Sequence, residues 1–281
     1  MREGLRLGAL LGLLGLMLLL ATAVLVWGGM GGASPLTDAE SVHRTAAGNA
    51  LTLLIGFGGA GLIFLLVSGK DGRILLYKWQ APLSIYGWIA LFMGGLFLVL
   101  PWLGLDAESF RLPASLSHWE RFLEEQEARI ETLIYAFIEH GSLPLLLLYM
   151  GVAPAVAEEL FFRGALQLQL GRLFKRSHLA LWLSAFLFSL VHFQVYGFIP
   201  RLLLGAAMGY LTLWTGRLFP AIWAHFLNNA YATITAYVGM HFFHHPEWIS
   251  STYRPPLWLA LSGAFIAGLA GYQLYNRLFR A

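Results

Sequence analysis

Eight predominantly apolar runs, at 7–30, 48–68, 82–104, 142–169, 178–196, 198–216, 219–240 and 256–276, leave this chain little choice of fold class. A helix crosses the bilayer core, about 30 Å thick, with about 20 such residues, and in lipid every backbone polar group must be satisfied within the segment. Charged residues make up 12% of the 281, about half the roughly 25% usual in soluble domains. The expectation is an all-α, polytopic membrane protein with about eight transmembrane helices. The first run follows Arg2 and Arg6 and could pass for a secretion signal. It continues to Trp27, beyond an h-region of roughly 7–15 residues, so a retained helix is expected.

Topology follows from the Lys and Arg positions. With a cytoplasmic N-terminus, Arg44, Arg111, Arg121, Arg129, Arg201 and Arg254 fall outside and Arg163 lies within a span. The other eleven of the 18 basic residues then fall inside. Both termini are therefore expected in the cytoplasm. A polar stretch at 105–131 carries Trp119, Phe122 and Ile130 among its charges. It reads either as an interfacial amphipathic helix or as a solvated loop. Residues 1–141 form an N-terminal set of helices with that segment, and 142–281 a second half, in one integrated membrane domain. The glycines of Gly56-Phe-Gly-Gly-Ala-Gly61 are expected to let helices approach closely.

Cysteine is absent, which excludes disulfides, thiol nucleophiles and thiolate metal sites. No basic block or Gly-rich phosphate loop points to nucleic acid. The chemistry concentrates instead in Glu158-Glu159-Leu-Phe-Phe-Arg163, three ionisable groups within an apolar run. A charge at the bilayer centre costs at least about 2.5–3.5 kcal/mol, so such groups default to a functional reading. Glu159 and Arg163 lie one helical turn apart and can pair. Glu158 is rotated by about 100° and is free to meet another partner, as a general base must. Pro154, just upstream, removes a helical hydrogen bond.

Two later runs each carry a histidine with a partner four residues away, Phe188…His192 and His225…Asn229, with Asn228 as a competing amide. Taken singly, each is as readily a satisfied interior histidine or interhelical hydrogen-bonding glue. Counted from the cytoplasmic ends of their runs, Glu158 and His192 lie about 20 Å deep, Asn229 about 15 Å and His225 about 10 Å. All four could therefore share one cavity. His241, His244 and His245 form a cluster beyond the seventh run, read as interfacial, with Glu247 the nearby carboxylate. Glu139 and His140 read as a helix end, and Gln167 and Gln169 as needing no special role.

Glu158-Glu159-x-x-x-Arg163, Phe188-x-x-x-His192 and His225-x-x-x-Asn229, in that order over about 142–240, resemble the CPBP (CAAX protease and bacteriocin-processing, or Abi) family. That family includes the type II CAAX-prenyl endopeptidases. The resemblance implies an eight-helix intramembrane peptidase that cleaves a peptide bond with a glutamate-activated water, near a membrane anchor or a C-terminal tail. It implies Glu158 as the base, His192 beside the water, and His225 with Asn229 on the oxyanion. Glu159 and Arg163 would be supporting members, and the substrate-contacting residues stay unassigned. No cofactor is expected. A divalent metal such as zinc on Glu158, His192 and His225 is the competing mechanism, although the HExxH pair is absent. The expected partners are a membrane-anchored protein or peptide and the lipid bilayer. The Leu/Gly/Ala-heavy composition suggests a prokaryotic inner (cell) membrane. A scaffold, an immunity-type binding protein or a transporter using the same polar core is the alternative class.

Overall fold

The computed structural model describes residues 2–27, 38–77, 82–104, 113–245 and 253–279. Ten helices account for nearly all of them: α1 (Arg2–Trp27), α2 (Ala39–Val67), α3 (Lys70–Tyr77), α4 (Leu83–Leu103), α5 (Ser117–His140), α6 (Leu143–Phe174), α7 (Ser177–Leu190), α8 (Phe198–Thr215), α9 (Phe219–Val238) and α10 (Leu257–Phe279). No strand occurs among the described residues. Residues 105–112 of the polar segment, together with Glu247, Trp79 and Trp248, lie outside them.

The protein is an all-α polytopic membrane protein. Five helices, α1, α2, α4, α6 and α10, are long and apolar enough to cross a membrane. The other three expected spans are α7, α8 and α9, which carry the polar residues of the second half and fall short in length or hydropathy. The 14 residues of α7 extend about 21 Å, less than the apolar thickness of a bilayer. This helix stops at Leu190 rather than running on to 196. Phe193 takes a left-handed φ of 53°, a conformation that bulky residues rarely adopt, and the chain turns there.

The 24-residue α5 settles the choice for residues 117–131 in favour of a helix. Trp119 and Phe122 are exposed on it, while Phe137 and Ile138 pack into a core with Val42, Leu146 and Ala236. His140 ends it, beside Glu139. His241 does not join the neighbouring histidines: its Nε2 donates to the Ile138 carbonyl at 2.9 Å, which pins the end of α9 to α5.

The central element is α6. Its core residues Phe161, Phe162, Ala165 and Leu166 pack in one cluster with Leu10 of α1, Phe64 of α2, Ile89 of α4 and Ala224 of α9. Two widened π-helical turns interrupt α6, at Leu147–Val152 and Leu160–Leu166. Pro154 follows the first and Arg163 sits inside the second. Proline cannot supply the helical N–H, and single π turns are a common way for a helix to absorb such a defect near a site. Gly61 of α2 meets α6 beside the charged turn. A Cβ there would lie 2.6 Å from the Leu160 carbonyl carbon and oxygen, so only glycine admits this backbone approach. The glycine stretch at 56–61 thus works as close packing.

Candidate active site

Glu158 and Glu159 end the central α-helical stretch of α6, and both are buried. Arg163, 2% exposed, donates from Nη1 to Glu159 Oε1 at 2.6 Å and from Nη2 to the Gly205 carbonyl at 3.1 Å. Its guanidinium lies 4.2 Å from the centroid of the Phe188 ring. The expected i,i+4 pair is therefore present, and it reaches across to α8. A Cβ on Gly205 would stand 3.2 Å from Arg163 Nη2, Ala185 Cβ and Phe188 Cδ1 alike. Glycine brings the α8 carbonyl within reach of the buried cation, and a buried cation without such acceptors would be strongly disfavoured.

The same contact repeats one turn further on, where Gln167 Nε2 donates to the Gly209 carbonyl at 3.2 Å. Gln169 is fully buried and donates to the Glu3 carbonyl at 2.8 Å and to Glu3 Oε2 at 3.0 Å. These two glutamines, expected to need no special role, fasten α6 to α8 and to α1. The Gly205-x-x-x-Gly209 spacing is the small-residue signal that could have revealed the first of these contacts.

His225 joins the two carboxylates. Its Nδ1 lies 2.7 Å from Glu159 Oε1, and its Nε2 lies 3.8 Å from Glu158 Oε2. Glu159 Oε1 already accepts from Arg163, and an ionised carboxylate can only accept, so the proton on His225 Nδ1 is assigned to this bond. Arg163 and His225 thus converge on one oxygen of Glu159. The ring nitrogen turned toward Glu158 is left without a direct hydrogen bond, as 3.8 Å exceeds that range. Glu158 Oε2 is buried without a hydrogen-bond partner. The expectation that Glu158 turns to a partner of its own is not met, since both carboxylates face the same imidazole. That His225 is held by Glu159 was not anticipated.

His192 follows the end of α7, and its Nδ1 donates to the Phe188 carbonyl at 2.7 Å. A carbonyl only accepts, so the neutral ring keeps its lone pair on Nε2. Phe188 is the hub of the site. Its ring meets His192 at 5.0 Å and His225 at 5.8 Å, both edge-on, as well as Arg163. On α9, Asn228 Nδ2 donates to Asn229 Oδ1 at 3.3 Å, which leaves the Asn229 Nδ2 hydrogens for other acceptors.

A cavity of about 360 Å³ opens in front of these groups, with His192, Arg201, His225, Asn228 and Asn229 in its polar wall. Ile134 and Ile138 of α5, Met150 of α6 and Leu204 of α8 supply apolar lining. Its size falls within the range of small-ligand pockets, about 300–1,000 Å³. Arg201, counted with the outside residues at the head of the 198–216 run, lies in the first turn of α8 and lines this cavity. An arginine at the head of an otherwise apolar run was the signal in the sequence. Among the described residues, no group of three or more His, Cys, Asp or Glu is placed to hold a metal ion.

Residues 140–231, which run from the end of α5 through most of α9, match the family model described as type II CAAX prenyl endopeptidase Rce1-like. A curated relative, the uncharacterized protein YpbD of Bacillus subtilis (strain 168), is 31% identical over 88 residues. That match covers 30% of this chain and 42% of the relative, less than half the length of either. No solved structure matches the chain. Through the segment that builds its carboxylate–histidine cavity, the chain is similar to the CAAX protease-like family of that model.

Proposed function

We propose that the protein is an intramembrane endopeptidase in which Glu158 activates a water for attack on a peptide bond near a membrane anchor or C-terminal tail. The observation that carries this reading is the pairing of Glu158 Oε2, buried and without a protein partner, with His225 Nε2 at 3.8 Å beside the cavity. Two polar atoms at that separation can share one water at ordinary hydrogen-bond distances of about 2.8 Å.

Glu158 takes a proton from the water as its oxygen adds to the scissile carbonyl, and returns that proton to the leaving nitrogen when the carbon–nitrogen bond breaks. The developing oxyanion receives Asn229 Nδ2 and His225 Nε2. A donor at Nε2 requires the His225 ring to carry both protons, and the carboxylates of Glu159 and Glu158 on its two sides supply the counter-charge. His192, fixed by the Phe188 carbonyl, offers Nε2 as an acceptor that orients the water. Glu159 and Arg163 do not touch the reacting atoms and act as positioning residues for His225.

The cellular test compares membrane proteins in cells expressing wild type or Glu158→Ala. Proteins with membrane anchors or C-terminal tails are expected to accumulate uncleaved in the variant. An unchanged set would defeat the peptidase reading. We also propose that no metal takes part. Cleavage by the purified protein is expected to persist in excess chelator, and loss followed by recovery on adding zinc would establish the metal mechanism instead.

A further inference from the structure

Arg201 is the one permanently charged side chain in the described lining of the cavity, and no carboxylate shares that lining. Its Nη2 donates to Gln194 Oε1 at 2.5 Å. Its Nη1 is buried and has no hydrogen-bond partner. Glu127 of α5 and Glu158 attract it from farther off. A guanidinium N–H that is withdrawn from water and unmatched within the fold is disfavoured unless something brought into the cavity completes it. The groups across the cavity are amides and imidazoles of Asn228, Asn229, His192 and His225. They suit a peptide backbone, whereas Arg201 suits an anion.

The anion that fits is a carboxylate, because the planar fork of arginine matches two carboxylate oxygens and a desolvated pair of this kind is strong. We propose that Arg201 anchors a carboxylate of the substrate at the α8 end of the cavity, fixing how far the peptide advances past the water site. The assignment rests on the peptidase reading of this cavity and adds a specificity determinant to it. The carboxylate is either the chain terminus of the substrate or an acidic side chain near its end, and the two are separable by experiment.

Binding is measured rather than cleavage, so the result does not depend on turnover. The full-length protein in detergent micelles is titrated with dansylated tri-leucine as the free acid, as its C-terminal amide, and as an amide whose last residue is aspartate. A buried charge-assisted contact predicts that the free acid binds at least about 10-fold tighter than the plain amide. In Arg201→Gln the acid is expected to fall to the affinity of the amide, while the amide keeps its own. Arg201→Lys retains part of the preference, as a point charge without the fork, and guards against a Gln variant that fails to fold.

Preference for the free acid alone identifies the chain terminus, and equal preference for the aspartyl amide identifies a carboxylate in either position. Equal binding of acid and plain amide by wild type overturns the proposal, as does an equal loss for both in Arg201→Gln. Absence of saturable binding of the acid at millimolar concentration overturns it as well. A peptidase that cleaves acid and amide alike would leave the proposed function standing and remove only this inference.

Discussion

Glu158→Gln is expected to reduce peptide cleavage by about 10²- to 10⁴-fold, the range for loss of a general base, while leaving the thermal unfolding of the detergent-solubilised protein nearly unchanged. The amide keeps the shape of the carboxylate, and Glu158 Oε2 makes no hydrogen bond whose loss would weaken the fold. The measurement is initial rate against melting temperature on the same preparation. Full activity in this variant, with loss in Glu159→Gln, would exchange the roles of the two adjacent carboxylates.

Glu159→Leu should behave in the opposite sense. It strands Arg163 and His225, both of which converge on Glu159 Oε1 in a buried setting. Breaking a buried pair by removing one partner costs about 3–5 kcal/mol. At roughly 2–4 °C per kcal/mol for a chain of this size class, that lowers the melting temperature by about 10 °C. Combining Glu159→Leu with Arg163→Met replaces the pair by apolar groups and should restore much of the stability. Activity should not return with it, since His225 would still lack the acceptor that sets its ring. A double variant that regained both would show that His225 needs no anchor.

The two expectations divide one short motif, and the division was only partly readable in the sequence. Helical periodicity sufficed to pair Glu159 with Arg163, because that statement concerns one helix. The partner of His225 was not readable, since it depends on how α9 is rotated against α6. Gly205 was equally hidden. Its contribution is a backbone carbonyl, which every residue possesses, and only the absent Cβ marks it. The cavity contact of Arg201 was hidden as well, since a count of basic residues by side says nothing of what an arginine faces. α8 starts beside the cavity, and three of the four helices that build the site, α7, α8 and α9, are the shorter or less apolar ones. The membrane character and the helical class were legible for a simpler reason: they follow from length and hydropathy, which do not depend on tertiary contacts.

The early end of α7 has a consequence for how firmly His192 is held. The last four carbonyls of α7 are all met locally, those of Leu187, Ser189 and Leu190 by the backbone N–H groups of Val191, His192 and Phe193, and that of Phe188 by His192 Nδ1. Flanked by Lys175 and Arg176 at its start, α7 runs out after 14 residues, about 21 Å along, and His192 sits in the turn that follows. The helix thus closes with its hydrogen bonds made, as backbone at membrane depth must, and the residue that closes it is the imidazole in the cavity wall. A side chain that doubles as the cap of its own helix has little freedom to wander, so the stop that shortens α7 is also the clamp that aims His192.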